Sequence, residues 1–215
     1  MSEEFIKEVD EEIKEEKLEK LWKRLAPYVI SLALGIVIFT SVSVWWNSYL
    51  TNKKQSLGDD FTAAVQLIEE NDFDAAIIAL DKVIESSSDG YITLAKLKKA
   101  SLLIEQNNIK KGLELYLDLE KTAADSAFRD MATLFYVLNA MDTESSDFLL
   151  EKIERLTFDS NPWSSTALEL KAFLFLKNNN DQKSKETFEE ITKKINVPSD
   201  LKGRANDMIN FLKTK

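Results

Sequence analysis

The 215-residue sequence contains no cysteine and no histidine. The first absence excludes disulfides and a thiol nucleophile. Both together exclude a Cys/His zinc site, a histidine acid–base relay and a histidine-ligated haem. Any metal site would have to be built from oxygen alone. Three prolines and five glycines are few, which suits long helices better than loop-rich sheets. A basic surplus is also missing: 28 basic residues stand against 37 acidic, a formal charge of -9. A phosphate backbone needs a basic footprint, so the balance argues against a nucleic-acid partner.

What is present is unevenly placed. Hydrophobic residues make up 44% of the chain and charged residues 30%, which excludes a wholly disordered polypeptide. Between Ala26 and Trp46, 15 of 21 residues are apolar and none is charged. At about 1.5 Å per residue such a run gives about 30 Å, the thickness of a bilayer core. Residues 26–46 are therefore predicted to form a single transmembrane helix. Trp22 and Tyr28 at one end, with Trp45, Trp46 and Tyr49 at the other, are expected as membrane-interface anchors. A cleaved signal peptide fits less well, because 25 net-acidic residues precede the run and no small-residue cleavage site follows it. Lys17, Lys20, Lys23 and Arg24 outnumber the positive charges beyond the run and predict a cytoplasmic N-terminus. Residues 1–25 read as a charged helical tail and 47–57 as a linker.

From residue 58 to 215 apolar residues recur at three and four, with no strand pattern. The spacing predicts helices over 91–106, 109–122, 126–141, 145–158, 162–178 and 181–195, with a last helix after Pro198. Small residues Ala64, Ala100 and Ala172 fall at intervals of 36 and 72, each followed three residues later by Leu67, Leu103 or Phe175. Ala76, Gly112 and Ser184 keep the same intervals, each followed at four by Leu80, Tyr116 or Phe188. Small residues let paired helices approach and the bulky neighbour fills the space against the next pair. These columns are expected to pack about four hairpins. Ala132 with Phe135 matches the first two columns out of phase, so the third hairpin is predicted to depart from the others.

The columns resemble the tetratricopeptide repeat, a helical hairpin of about 34 residues with two small packing positions. The sequence-stretch Val9-Asp10-Glu11-Glu12-Ile13, then Lys17-Leu18-Glu19-Lys20-Leu21-Trp22-Lys23-Arg24 and the run closing on Trp45-Trp46, resembles a bacterial family. That family is the tetratricopeptide-like ancillary subunit of the SecYEG translocon, in its shorter alphaproteobacterial form. The resemblance implies a bacterial inner-membrane protein with a periplasmic repeat domain. Its implied partners are the lipid bilayer, SecYEG and a membrane-bound periplasmic chaperone, with a role in protein export.

No catalytic, cofactor-binding or metal-binding residue is expected. Acidic pairs such as Asp59/Asp60 and Glu186/Glu189/Glu190 read as solvated helix faces, and Ser86, Ser87 and Ser88 have no histidine base. Phe158 and Trp163 flank the turn at Asn161-Pro162; such aromatics more often seal one hairpin against the next, and partner binding is the other role for which these two are candidates. The sequence thus predicts an all-α chain: one membrane helix, then a TPR-like α-solenoid that is not an enzyme and binds proteins. An envelope-assembly or cell-division scaffold is the alternative function, and an enzyme of unrecognised type the remote one. No small-molecule substrate is expected.

Overall fold

The computed structural model describes residues 2–85 and 89–214, without the side chains of residues 2–20, 29, 30, 33, 53, 54 and 89. Ser86, Ser87 and Ser88 lie outside the described residues. The chain divides into two units, Met1–Gln55 and Ser56–Lys215. The described elements are helices: α1 (Ser2–Glu69), α2 (Phe73–Ile84), α3 (Asp89–Glu105), α4 (Ile109–Thr122), α5 (Ser126–Ala140), α6 (Ser146–Glu154), α7 (Ser164–Lys177), α8 (Asp181–Lys193) and α9 (Ser199–Thr214).

In the first unit, α1 is unbroken. Residues 47–57 continue the helix, and Pro27 lies inside it, giving up the backbone hydrogen bond its N–H would make one turn back. Ser31 donates to the Tyr28 carbonyl and Thr40 to the Ile36 carbonyl, so these hydroxyls are satisfied within the helix. The expectation of a transmembrane helix over 26–46 is corrected here. Among the described residues, no helix is long and apolar enough to cross a membrane.

The proposed anchors lose that role with the span. Trp22 and Tyr28 are exposed on the helix, while Trp45, Trp46 and Tyr49 pack on one another with ring centroids 6.3–6.5 Å apart. Of the charges expected to set topology, Lys23 and Arg24 lie on the same helix; the side chains of Lys17 and Lys20 fall outside the description. The single-pass inner-membrane placement, with a cytoplasmic N-terminus and a periplasmic domain, is likewise not supported.

The second unit is a stack of helical hairpins. Three turns share one device. Asn71, Asn107 and Asn179 adopt left-handed φ of 61°, 62° and 56°. At each, the asparagine N–H returns to the carbonyl three residues back and the next N–H to the one five back: Asn71 to Ile68 and Asp72 to Leu67, then Asn107 to Ile104 and Asn108 to Leu103, then Asn179 to Leu176 and Asn180 to Phe175. This pattern satisfies helix-end carbonyls and turns the chain back, and asparagine tolerates the left-handed region better than other non-glycine residues. Asp72 and Asn180 then cap the following helices through Ala75 N–H and Lys183 N–H.

The third hairpin differs as its phase suggested. Thr143 and Glu144 N–H both return to the Ala140 carbonyl, and Ser145 caps α6 through Phe148 N–H. Helix α6 is short, ending at Glu154 rather than the predicted 158. Residues 155–163 form a loop instead.

Three apolar cores succeed one another along the stack. Ala64, Ala76, Leu80, Val83, Ala95 and Leu102 build the first. The central one includes Ala100, Leu113, Tyr116, Ala132, Val137, Leu149 and Ala167. Leu168, Ala172, Phe188, Ile191, Leu201, Ala205 and Ile209 close the far end, where α9 covers α8. Tyr116 is buried against the Phe135 ring at 5.6 Å, and burial pushes its pKa up to about 12, while a hydrogen bond with Ser101 acts the other way.

The folded state therefore favours the protonated phenol. This contribution is complete below pH 10, the ordinary tyrosine value, and is lost as pH rises from 10 to about 12. The urea midpoint of the protein is expected to fall across that window, and to fall less in Tyr116→Phe. Parallel decline in both proteins would show that Tyr116 is not the group responsible.

Candidate functional site

The helices run up and down, so the asparagine turns lie along one edge of the stack and the inter-hairpin loops along the other. The loop edge carries the most distinctive surface. Loop 155–163 and the α8–α9 loop border a groove of about 570 Å³, lined by Asp159, Asn161, Ser165, Glu190, Lys193 and Ile195 among others. Tight turns usually show polar side chains to water. Here Ile195 is 96% exposed and Phe158 60% exposed.

Asp130 of α5 determines the shape of loop 155–163. One of its carboxylate oxygens accepts from Arg155 at the start of the loop, the other from Asn161 Nδ2 at 2.8 Å near its end. Arg155 also reaches Thr133 Oγ1, at 3.2 Å. Asn161 Oδ1 accepts from Trp163 N–H at 2.8 Å, closing the turn that starts α7. Lys194 crosses to the neighbouring loop, 2.5 Å from Asp159 and 3.1 Å from Ser164 Oγ.

The two candidate partner-binding residues part company. Phe158 is exposed on the loop, whereas Trp163 is half-buried and packs against the central core. Ile195, Asp130 and the groove had no place in the sequence reading. The only available signal for Ile195 was an apolar residue between Lys194 and Asn196, just before Pro198.

The repeat columns fall inside the stack. Ala64, Ala76, Ala100, Ala132, Ala172 and Ser184 have no exposed surface, and Gly112, Leu80, Leu103, Tyr116 and Phe188 are buried. Leu67, Phe135 and Phe175 are half-buried. Gly112 permits the closest approach: a Cβ there would stand 2.5 Å from Ile104 Cγ1 and 2.8 Å from the Ala100 carbonyl oxygen.

A second group of titratable residues lies at the third hairpin. The Lys152 ammonium is 2.6 Å from Glu120 and 5.0 Å from the Tyr136 ring centroid. Burial, then the charges of Glu144 and Glu120, raise the Tyr136 pKa. Here an enclosed lysine is neutralised by its neighbours, which suits packing rather than proton transfer. Among the described residues, no group of three or more acidic side chains could hold a metal ion.

The model of the family described as Protein of unknown function (DUF2659) matches residues 2–212. The chain belongs to the DUF2659 family. No curated protein matches the sequence of this DUF2659 chain. Among solved structures, a tetratricopeptide repeat protein from Parabacteroides merdae superimposes with a TM-score of 0.57 at 13% identity, over 74% of this chain and 61% of that one. The MamA RS-1 ArsTM double mutant gives a TM-score of 0.55 at 10% identity, over 74% of this chain and 83% of that one. The DUF2659 chain thus spans about three fifths of the length of the first relative. At such identities the likeness is one of fold: an all-α, TPR-like array of helical hairpins, distantly related to these structures.

That result corrects the finer expectations. The likenesses support the repeat fold and carry nothing specific to the Sec translocon. With no membrane-spanning helix among the described residues, the lipid bilayer, SecYEG and a membrane-bound periplasmic chaperone lose their basis as partners, and protein export loses its basis as the role.

Proposed function

We propose that residues 56–215 form a protein-binding module that acts by non-covalent recognition and performs no reaction of its own. The observation that carries this reading is the loop edge: Phe158 on loop 155–163 is exposed, and so is Ile195, which lines the groove. Exposing an aromatic and an aliphatic side chain on two loops forgoes about 2 kcal/mol of burial for each, which a partner recovers when it covers them. The repeat fold supports the same reading, since stacked hairpins offer extended rigid surface and the solved relatives share that architecture. Phe158 acts as a direct contact, while Trp163 packs against the central core.

Site-specific photo-crosslinking in the native host tests this. Probes at Phe158 and Ile195 are expected to capture the same protein, and probes at Asn71 and Asn107 on the opposite edge are not. Equal capture from both edges, or none from the loop edge, would overturn the assignment.

A further inference from the structure

Helix α9 carries the repeat one interval beyond the last hairpin. Pro198 before it stands 36 residues after Pro162, which precedes α7. Near the end of the first helix of three hairpins lies one apolar triplet: Ala64/Leu67/Ile68, Ala100/Leu103/Ile104 and Ala172/Phe175/Leu176. In α9 the triplet returns in phase as Met208/Phe211/Leu212. Elsewhere the second helix of the hairpin lies on it. Ala76 of α2 shares a core with Ala64, Leu67 and Ile68. Gly112 of α4 sits against Ala100 and Ile104. Lys183 of α8 places its ammonium 5.5 Å from the centroid of the Phe175 ring. Among the described residues of the second unit, α9 packs against α7 and α8 alone, and nothing lies on its triplet. Phe211 is accordingly 54% exposed, where Leu103 at the same place in its hairpin is 7% exposed. Met208 and Leu212 are half-buried beside it.

This open face continues an interface that the chain builds three times, and those copies define what covers it. Each covering helix has a small residue, Ala76, Gly112 or Ser184, followed at four by bulky Leu80, Tyr116 or Phe188. In two of them a lysine precedes the small residue, Lys111 and Lys183. A lysine there is attracted to an aromatic ring, as Lys183 on Phe175 shows. We propose that Met208, Phe211 and Leu212 form a docking site for an amphipathic helix of another protein, which lies on α9 as α8 lies on α7. Its contact face carries a lysine, then a small residue, then a bulky apolar residue four positions on. A length of 12 to 14 residues suffices, as in α2, α4 and α8. Those three helices are already engaged: Ala76 and Ser184 have no exposed surface and Gly112 is buried. None can be lent to a second copy without opening its own hairpin, so the occupant is a foreign chain. Met208 takes up space that alanine leaves free in the other hairpins, which requires a small residue opposite it. The site contains none of the loop-edge residues and goes beyond the reading above.

The test uses the full chain and a labelled, lactam-stapled peptide that copies the Lys183, Ser184 and Phe188 face of α8, read by fluorescence anisotropy. Phe211→Ser should weaken its binding about tenfold and, because the ring already stands largely in water, leave the urea midpoint in place. A peptide with leucine for the serine should bind about tenfold less tightly, since it cannot settle on Met208. Glutamate for the lysine should weaken binding about threefold. The bound peptide should also slow amide exchange in α9 while α3 and α4 keep their rates, a readout that needs no variant. No binding of the parent peptide, or binding that Phe211→Ser leaves undiminished, overturns the site. Equal binding of either altered peptide overturns the contact face assigned to the partner. Self-association of the chain alone that Phe211→Ser abolishes would give the face to a second copy and overturn the foreign helix. The double variant Phe158→Ser/Ile195→Ser should bind the parent peptide unchanged. Loss of capture at the loop edge with peptide binding intact therefore removes the earlier reading alone, and the converse removes this one.

Discussion

Phe188→Ala is expected to cost about 3–5 kcal/mol, the range for removing a large aromatic from a packed core. The ring has no exposed surface and meets Phe173 edge-on, with centroids 5.3 Å apart and planes at 80°. An edge-to-face pair of this kind adds about 0.5–1.5 kcal/mol beyond area burial. Around it stand Leu168, Ala172, Ile191, Leu201, Ala205 and Ile209, so the cavity would open between α7, α8 and α9. Stability in a hairpin stack is passed between neighbours, and the damage should begin at that end. Amide exchange in α8 and α9 should accelerate well before exchange in α3 and α4. Urea denaturation followed by circular dichroism measures the total, and Phe188→Leu should restore much of it. A loss below about 1 kcal/mol would mean that the site collapses around the missing ring.

Gly112→Ala is the second large effect, and its sign is opposite to the intrinsic preference of the residues. In a free helix, alanine is favoured over glycine by about 1 kcal/mol. Here the added carbon meets the Ala100 carbonyl oxygen at 2.8 Å, and a backbone atom cannot swing aside as a flexible side chain can. Ile104 Cγ1 at 2.5 Å blocks the other direction. Overpacking costs typically about 1–3 kcal/mol, so α3 and α4 must separate and the helix preference is outweighed. The urea midpoint should therefore fall. Gly203→Ala is the control, because nothing lies within 4 Å of a Cβ there, and its midpoint should hold or rise. A rise at both positions would show that α3 and α4 adjust freely.

The contrast between these sites explains what could be read from the sequence. Core residues repeat because helices repeat: an interval of 36 residues returns Ala64, Ala100 and, after two periods, Ala172 to equivalent places on their helices. Helix α4 lies over the predicted 109–122 for the same reason. Contacts between side chains far apart in sequence have no such period. Nothing around Asp130 in the sequence announces Arg155 and Asn161 as its partners, and these ties accompany the early end of α6. Glu169 and Arg204, paired through two hydrogen bonds of 2.8 and 2.9 Å, are 35 positions apart and equally silent. The apolar run misled for another reason. Its composition suggested a separate span, whereas among the described residues no helix is long and apolar enough to cross a membrane.

The three left-handed asparagines have a consequence for how such a chain can change length. Each stands seven residues after the small residue of its first helix and five before that of its second. One residue inserted on either side would rotate the following helix by about 100° and turn its apolar face away from its neighbours. A whole 36-residue interval causes no such rotation of the pattern. These hairpins can therefore grow or shrink only in complete units, like links of a chain. The third hairpin, with its own turn and its loop tied to Asp130, is the one link that cannot be exchanged for another.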